Sequence, residues 1–134
     1  MTVSEVGSVM LIDDNLTDRF IHKKLLAIHE FTSEIIECES AREGLEFFKA
    51  NKESKDQLPD IILLDVLMPE MNGFDFLIHL EGMEDELAKK PIIFMLSSTD
   101  DESDLRKARS VRMVNKMLRK PFSPEALISA ISEL

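Results

Sequence analysis

The sequence predicts an α/β fold: an open, doubly wound domain with a parallel sheet covered by helices on both faces. Three observations predict it. Short apolar runs alternate with amphipathic helical stretches five times within 134 residues. The runs Val9–Ile12, Ile61–Leu64 and Ile92–Leu96 lack polar alternation, as strands buried on both faces do. Carboxylates or hydroxyls follow these runs, at the carboxyl ends where such folds place their sites.

In chain order, residues 1–7 read as a loose tail, and residues 8–134 as a single domain. Ser8–Ile12 is the first strand. Phe20, Ile21, Leu25 and Ile28 then recur at helical spacing. Glu34–Cys38 is the second strand. Ser40 with Glu43 forms a capping-box pattern, opening a helix with Ala41, Leu45 and Phe48 on one face. Asn51–Asp60 is polar and reads as a loop. Asp60–Leu64 is the third strand. Gly73 precedes a helix carrying Phe74, Leu77 and Leu80, and the charged stretch Glu81–Lys90 reads as a helix end plus loop. Pro91–Leu96 is the fourth strand. Thr99 with Glu102 repeats the capping-box pattern before Leu105 and Ala108. The fifth strand falls near Val114–Leu118. Ser123–Pro124 pairs an N-cap with proline at the first helical position, ahead of Leu127, Ile131 and Leu134.

The bulk numbers exclude several classes. One cysteine, Cys38, permits no internal disulfide, so a reducing cytoplasmic setting is the default expectation. No apolar run approaches the roughly 20 residues of a membrane-spanning helix. Sixteen Lys and Arg against 26 Asp and Glu leave a formal charge of −10, a field that repels nucleic-acid backbones and anionic lipid. With 44% hydrophobic and 31% charged residues, the composition is that of a soluble globular chain.

The chemistry lies at the strand ends. The first strand ends at Asp13–Asp14, the third at Asp65, the fourth at Ser97–Ser98, and the fifth runs to Lys120–Pro121. If the sheet is parallel, all of these meet at one edge. Three aspartates in one small site repel one another and call for a cation. Oxygen-only ligands suit a hard ion such as Mg²⁺, which keeps waters and shares itself with a phosphate. An aspartate can also attack phosphorus and hold an acyl phosphate. Such transfer depends on neutralising charge: a metal on Asp14 and Asp65 offers one positive centre, Lys120 a second, and Ser97 a hydroxyl donor. The loop Val66–Gly73, with its Pro and Asn-Gly, fixes the backbone beside Asp65, so that the Leu67 carbonyl can serve as a ligand. Each residue alone has an ordinary reading as a cap, a turn or a surface charge. The ordered set is more specific.

Taken together, Asp13–Asp14, Ile62-Leu63-Leu64-Asp65 with Met68-Pro69 and Asn72-Gly73, Met95-Leu96-Ser97-Ser98, and Lys120-Pro121-Phe122 resemble the receiver domain of two-component response regulators. The resemblance spans Ser8 to Leu134. It implies a flavodoxin/CheY-like sheet in the order 2-1-3-4-5. It implies phosphorylation of Asp65 by a histidine kinase or histidine phosphotransfer protein. Mg²⁺ would be held by Asp14, Asp65 and the Leu67 carbonyl, with Asp13 in support. Ser97 would be the switch hydroxyl and Lys120 the phosphate clamp, with a cis bond to Pro121. The downstream protein target would read the surface of the fourth helix, fifth strand and fifth helix, where a homodimer is also conceivable. A stand-alone receiver, with no output domain of its own, is the expectation.

Two positions depart from the family pattern. Met117 stands where the switch aromatic is usual, three residues before the lysine, and the chain has neither Tyr nor Trp. Leu67 cannot position an attacking water by hydrogen bonding, nor act as the general acid that a phosphatase with an aspartate nucleophile needs two residues past it. A flavodoxin-like cofactor binder would need a Ser/Thr/Gly-rich loop where Asp13–Asp14–Asn15 stands. A degenerate receiver serving as a phosphorylation-independent scaffold is the alternative that Met117 keeps open.

Overall fold

The computed structural model describes residues 1–29, 34–98 and 102–134. Five strands, β1 (Ser8–Ile12), β2 (Glu34–Cys38), β3 (Ile61–Asp65), β4 (Ile92–Ser97) and β5 (Val114–Arg119), alternate with five helices, α1 (Leu16–Ile28), α2 (Ala41–Asn51), α3 (Gly73–Gly82), α4 (Glu102–Ser110) and α5 (Pro124–Ser132). The strands form one parallel sheet in the order β2-β1-β3-β4-β5. The predicted architecture is therefore observed. The predicted cap at Thr99 lies outside the described residues.

Burial follows sheet position. Every residue of β1 and β3 is buried, as the unbroken apolar runs require. Two core layers flank the sheet. One packs Met10, Ile12, Ile62 and Leu64 against Phe48, Phe76 and Leu80 of α2 and α3. The other packs Val9, Leu11, Ile61 and Leu63 against Leu26, Leu127 and Ile131 of α1 and α5. At the outer strand β5, Ile93 pairs with Val114 and Phe94 with Lys116, so Asn115 is an inserted bulge residue. The Asn115 Oδ1 accepts from the Ile93 N–H at 3.3 Å.

Local signals explain the helix starts. Asn15, Ser40, Asn72 and Ser123 are N-caps whose side chains accept from the backbone three residues on. The orientation of α1 differs from the periodic reading. Phe20, Ile21 and Ile28 are exposed and Leu25 packs partly buried against the second core layer, whereas Arg19, His22 and Leu26 are buried. Polar anchors set this rotation. Arg19 donates to the Asp13 carbonyl at 2.7 Å and pairs with Glu37 at 3.3 Å and Glu39 at 3.5 Å.

The segment read as a loose tail carries structure. Val3–Glu5 makes a 3₁₀ turn, capped by reciprocal bonds between Thr2 and Glu5, and Val6 is buried in the second core layer. Asp60 anchors this entry to the sheet. Its Oδ2 accepts from the Gly7 N–H at 2.6 Å and the Ser8 N–H at 3.3 Å, while Lys89 lies 2.8 Å from Oδ1. Partial burial raises the Asp60 carboxyl, but the Lys89 and Gly7 hydrogen bonds outweigh it and hold the pKa below the ordinary value. This contribution is present above the ordinary carboxylate range and is lost as pH falls through the lowered value. Asp60→Ala is expected to cost about 1–3 kcal/mol, because it removes the carboxylate that accepts from two backbone N–H groups and pairs with Lys89. Urea denaturation at neutral pH checks this, and an unchanged midpoint would remove the anchor role.

Candidate functional site

The carboxyl ends of β1, β3, β4 and β5 converge as parallel strands must. Asp13 and Asp14 lie just past β1, Asp65 closes β3, Ser97 closes β4, and Lys120 follows β5. Asp13, Asp14 and Asp65 each offer a carboxylate oxygen, all within 4.8 Å of one another; Asp13 and Asp65 are buried and Asp14 is exposed. Among the described residues this is the one such group of potential ligands.

Backbone bonds fix the scaffold around it. The Asp13 N–H donates to the Cys38 carbonyl at 3.1 Å, and its Oδ1 accepts from the Asn15 N–H at 2.9 Å. The Val66 N–H donates to the Leu96 carbonyl at 3.1 Å, and the Gly73 N–H to the Val66 carbonyl at 2.9 Å. The Lys120 N–H donates to the Ser97 carbonyl at 2.8 Å, tying the lysine's backbone to the end of β4. The Lys120–Pro121 bond is cis.

Lys120 points its ammonium into the acidic group. Its Nζ lies 2.7 Å from Asp18 Oδ2, 2.8 Å from Asp13 Oδ2 and 3.3 Å from Asp65 Oδ2. Burial lowers an ammonium pKa, but bonds to Asp13 and Asp18 and the charges of Asp65 and Asp13 outweigh it. Lys120 is held above the ordinary lysine value. Asp65 moves the other way. Burial, then the charge of Asp13, raises its carboxyl to about 6 despite Lys120. Three carboxylates face the single ammonium and Asp14 adds a fourth beside Asp13 and Asp65, so the site carries an excess of negative charge on hard oxygen donors. That donor set fits a small divalent cation such as Mg²⁺ and lacks the sulfur or imidazole that would favour zinc.

Each sequence-predicted residue can be placed. Asp13, Asp14, Asp65 and Lys120 come together directly. Ser97 is buried at the adjoining end of β4, next to Leu96, which pairs with Asp65. The Leu67 side chain stands out in solvent, 63% exposed. Met117 is partly buried against the first core layer. Cys38 is buried, and burial pushes its thiol up to about 12. His22 is buried beneath Phe122, with ring centroids 5.0 Å apart, and burial lowers its pKa.

Sequence reasoning missed Asp18 and Arg19. Asn15 as the N-cap was the available signal: it sets Asp18 in the first turn of α1, four residues past Asp14 and on the same edge. Arg19 carried a weaker one, a charged residue inside an apolar periodic stretch.

Residues 9–132 match the family described as the response regulator receiver domain. The chain is 31% identical over 99 residues to the rice (Oryza sativa) "Two-component response regulator ORR1", covering 72% of this chain and only 42% of that protein. It is 32% identical over 123 residues to "Protein PilG" of Pseudomonas aeruginosa, covering 92% of this chain and 83% of that relative. The crystal structure of a two-component response regulator from Cytophaga hutchinsonii superimposes with a TM-score of 0.86 at 25% identity, covering 96% of each chain.

Proposed function

The chain belongs to the response regulator receiver domain family, and from that premise we propose that Asp65 accepts a phosphoryl group from a histidine kinase or histidine phosphotransfer protein. The observation that carries the reading is the placement of Lys120 and two further aspartates around the buried Asp65 carboxylate. In the transfer, a carboxylate oxygen of Asp65 forms a bond to phosphorus as the phosphorus–nitrogen bond of the donor phosphohistidine breaks. The electron pair stays on the imidazole nitrogen.

Asp14, Asp65 and the Leu67 carbonyl would hold Mg²⁺, with Asp13 in support; when bound, the ion neutralises charge on the phosphoryl oxygens. Lys120 supplies positive charge from the opposite side, and Ser97 supplies a hydroxyl to a phosphoryl oxygen. Exposed Leu16 and Phe20 on α1 and exposed Leu67 offer apolar area near the site to a phosphodonor protein. The downstream partner reads the α4–β5–α5 surface. Support for a switch there without an aromatic ring is a cavity of about 280 Å³ lined by Leu105, Ala108 and Met117, which gives the flexible methionine room to move. A single receiver domain over residues 8–134, a homodimer through the same surface and a cytoplasmic location belong to this reading.

Intact-mass spectrometry after incubation with acetyl phosphate tests it. One alkali-labile phosphoryl group is expected, dependent on Mg²⁺ and mapped to Asp65. If no group is gained and beryllofluoride also fails to bind, the scaffold reading takes its place.

Leu67 gives a further expectation. It offers no hydrogen bond to a water attacking the phosphorus, so the phosphoryl group is expected to be long-lived. Leu67→Asn is expected to shorten that lifetime several-fold, followed as loss of mass after donor removal. A wild type that loses the group as fast as the variant would contradict this.

A further inference from the structure

We propose that Asp18 is a positioning residue for phosphoryl transfer: its carboxylate competes with incoming phosphoryl oxygens for the Lys120 ammonium and so weakens the site's hold on phosphoryl anions. The inference rests on the acceptor role proposed above for Asp65.

An ammonium has three N–H donors. Lys120 faces three carboxylates, at 2.7 Å from Asp18, 2.8 Å from Asp13 and 3.3 Å from Asp65. Carboxylate oxygens therefore crowd the ammonium before any phosphoryl group arrives, and the shortest contact goes to a residue outside the acidic trio. Asp18 reaches the lysine because its backbone N–H is fixed on the Asn15 cap at 2.9 Å, in the first turn of α1.

The three partners differ in how readily they let go. The Asp13 side chain is 4% exposed and Asp65 7%, whereas Asp18 is 32% exposed. Asp13 is held a second time by the Asn15 N–H. A carboxylate that can turn into water recovers its hydration when it releases the ammonium, and a buried one does not. Asp18 is thus the partner that yields when a phosphoryl oxygen needs a donor. It occupies the lysine in the resting site and charges a modest toll on each anion that enters. In transfer from acetyl phosphate, the Asp65 oxygen–phosphorus bond forms as the acetyl oxygen–phosphorus bond breaks, and acetate leaves with the electron pair. Asp18 takes no part in either bond and acts only through Lys120.

The test compares wild type with Asp18→Asn, Asp18→Glu and Glu70→Gln, all with Mg²⁺. Glu70 is an exposed acid on the loop after Asp65 and is not among the carboxylates that pair with Lys120. Beryllofluoride affinity is read by calorimetry, and the half-saturating concentration of acetyl phosphate by intact mass. Asp18→Asn is expected to bind beryllofluoride roughly threefold to fivefold tighter and to lower the half-saturating donor concentration similarly, the range set by a partly exposed ion pair. Asp18→Glu, which keeps the charge, is expected to stay near wild type. A merely structural role would move melting temperature without moving anion affinity. The inference is overturned if Asp18→Asn binds no tighter than wild type. It is equally overturned if Glu70→Gln gives the same gain, since net charge then suffices, or if Asp18→Glu does, since shape then suffices. A wild type that takes no phosphoryl group at all overturns the Asp65 reading and this inference with it. A wild type that phosphorylates normally beside unmoved variants overturns only the role of Asp18.

Discussion

Asp65→Asn is expected to abolish phosphoryl uptake and, at the same time, to stabilise the metal-free protein at pH 8. Burial and Asp13 raise the Asp65 carboxyl from 3.8 to about 6. Between those values the folded chain binds the proton more tightly than the unfolded chain does. Stability from this group is therefore fully present below about pH 4 and is lost as pH rises through 6. Above that, the ionised Asp65 opposes folding by something on the order of 3 kcal/mol. Asparagine removes the charge while keeping the shape, and Lys120 retains Asp13 and Asp18. Urea denaturation across pH should show the variant ahead at pH 8 by about 1–2 kcal/mol and level with wild type at pH 4. Adding Mg²⁺ should narrow the gap, since an ion that binds the folded site stabilises wild type by mass action. A variant less stable than wild type at pH 8 would refute this account of Asp65.

Gly73→Ala is expected to damage both stability and the site. A Cβ at Gly73 would lie 2.5 Å from the Asp65 carbonyl oxygen, 2.8 Å from Met95 Cε and 3.3 Å from Val66 Cα. Met95 can swing aside, but the Asp65 backbone cannot move without shifting the end of β3. The expected cost is about 2–3 kcal/mol, with phosphoryl uptake reduced beyond what the fold loss explains. Gly44→Ala is the control. Its nearest neighbour would be the Ile12 Cδ1 at 2.8 Å, the end of a movable side chain. Equal effects of the two substitutions on uptake would show that the approach at Gly73 has no special bearing on Asp65.

The sequence carried the sheet because Val9–Ile12, Ile61–Leu64 and Ile92–Leu96 are unbroken apolar runs within β1, β3 and β4, which two-sided burial explains. It carried the outer strands less well. In β2 and β5 most residues are partly or fully exposed, so composition alone blurs their limits, and the bulge at Asn115 has no signature in the pattern. The meeting of Asp13, Asp14, Asp65 and Lys120 was legible because a parallel sheet forces its strand ends to one edge. Asp18 was not, because its part depends on how α1 is rotated. Apolar periodicity favoured the face of Phe20, Ile21 and Ile28, while the bonds of Arg19 to Asp13, Glu37 and Glu39 turn that face outward. A hydrophobic count cannot see a buried guanidinium that prefers the opposite side.

The bulge at Asn115 bears on a different hazard. An open parallel sheet ends in two rows of unpaired backbone groups, each a template for a strand from another molecule. On β5 the inserted residue breaks the regular spacing that such a visitor would need, and Lys116 and Arg119 add charge to the rim. On β2 the opposite rim carries Glu34 and Glu37, both exposed. With one border acidic and the other basic and kinked, neither offers a flat, apolar strand on which copies of the chain could stack into fibrils.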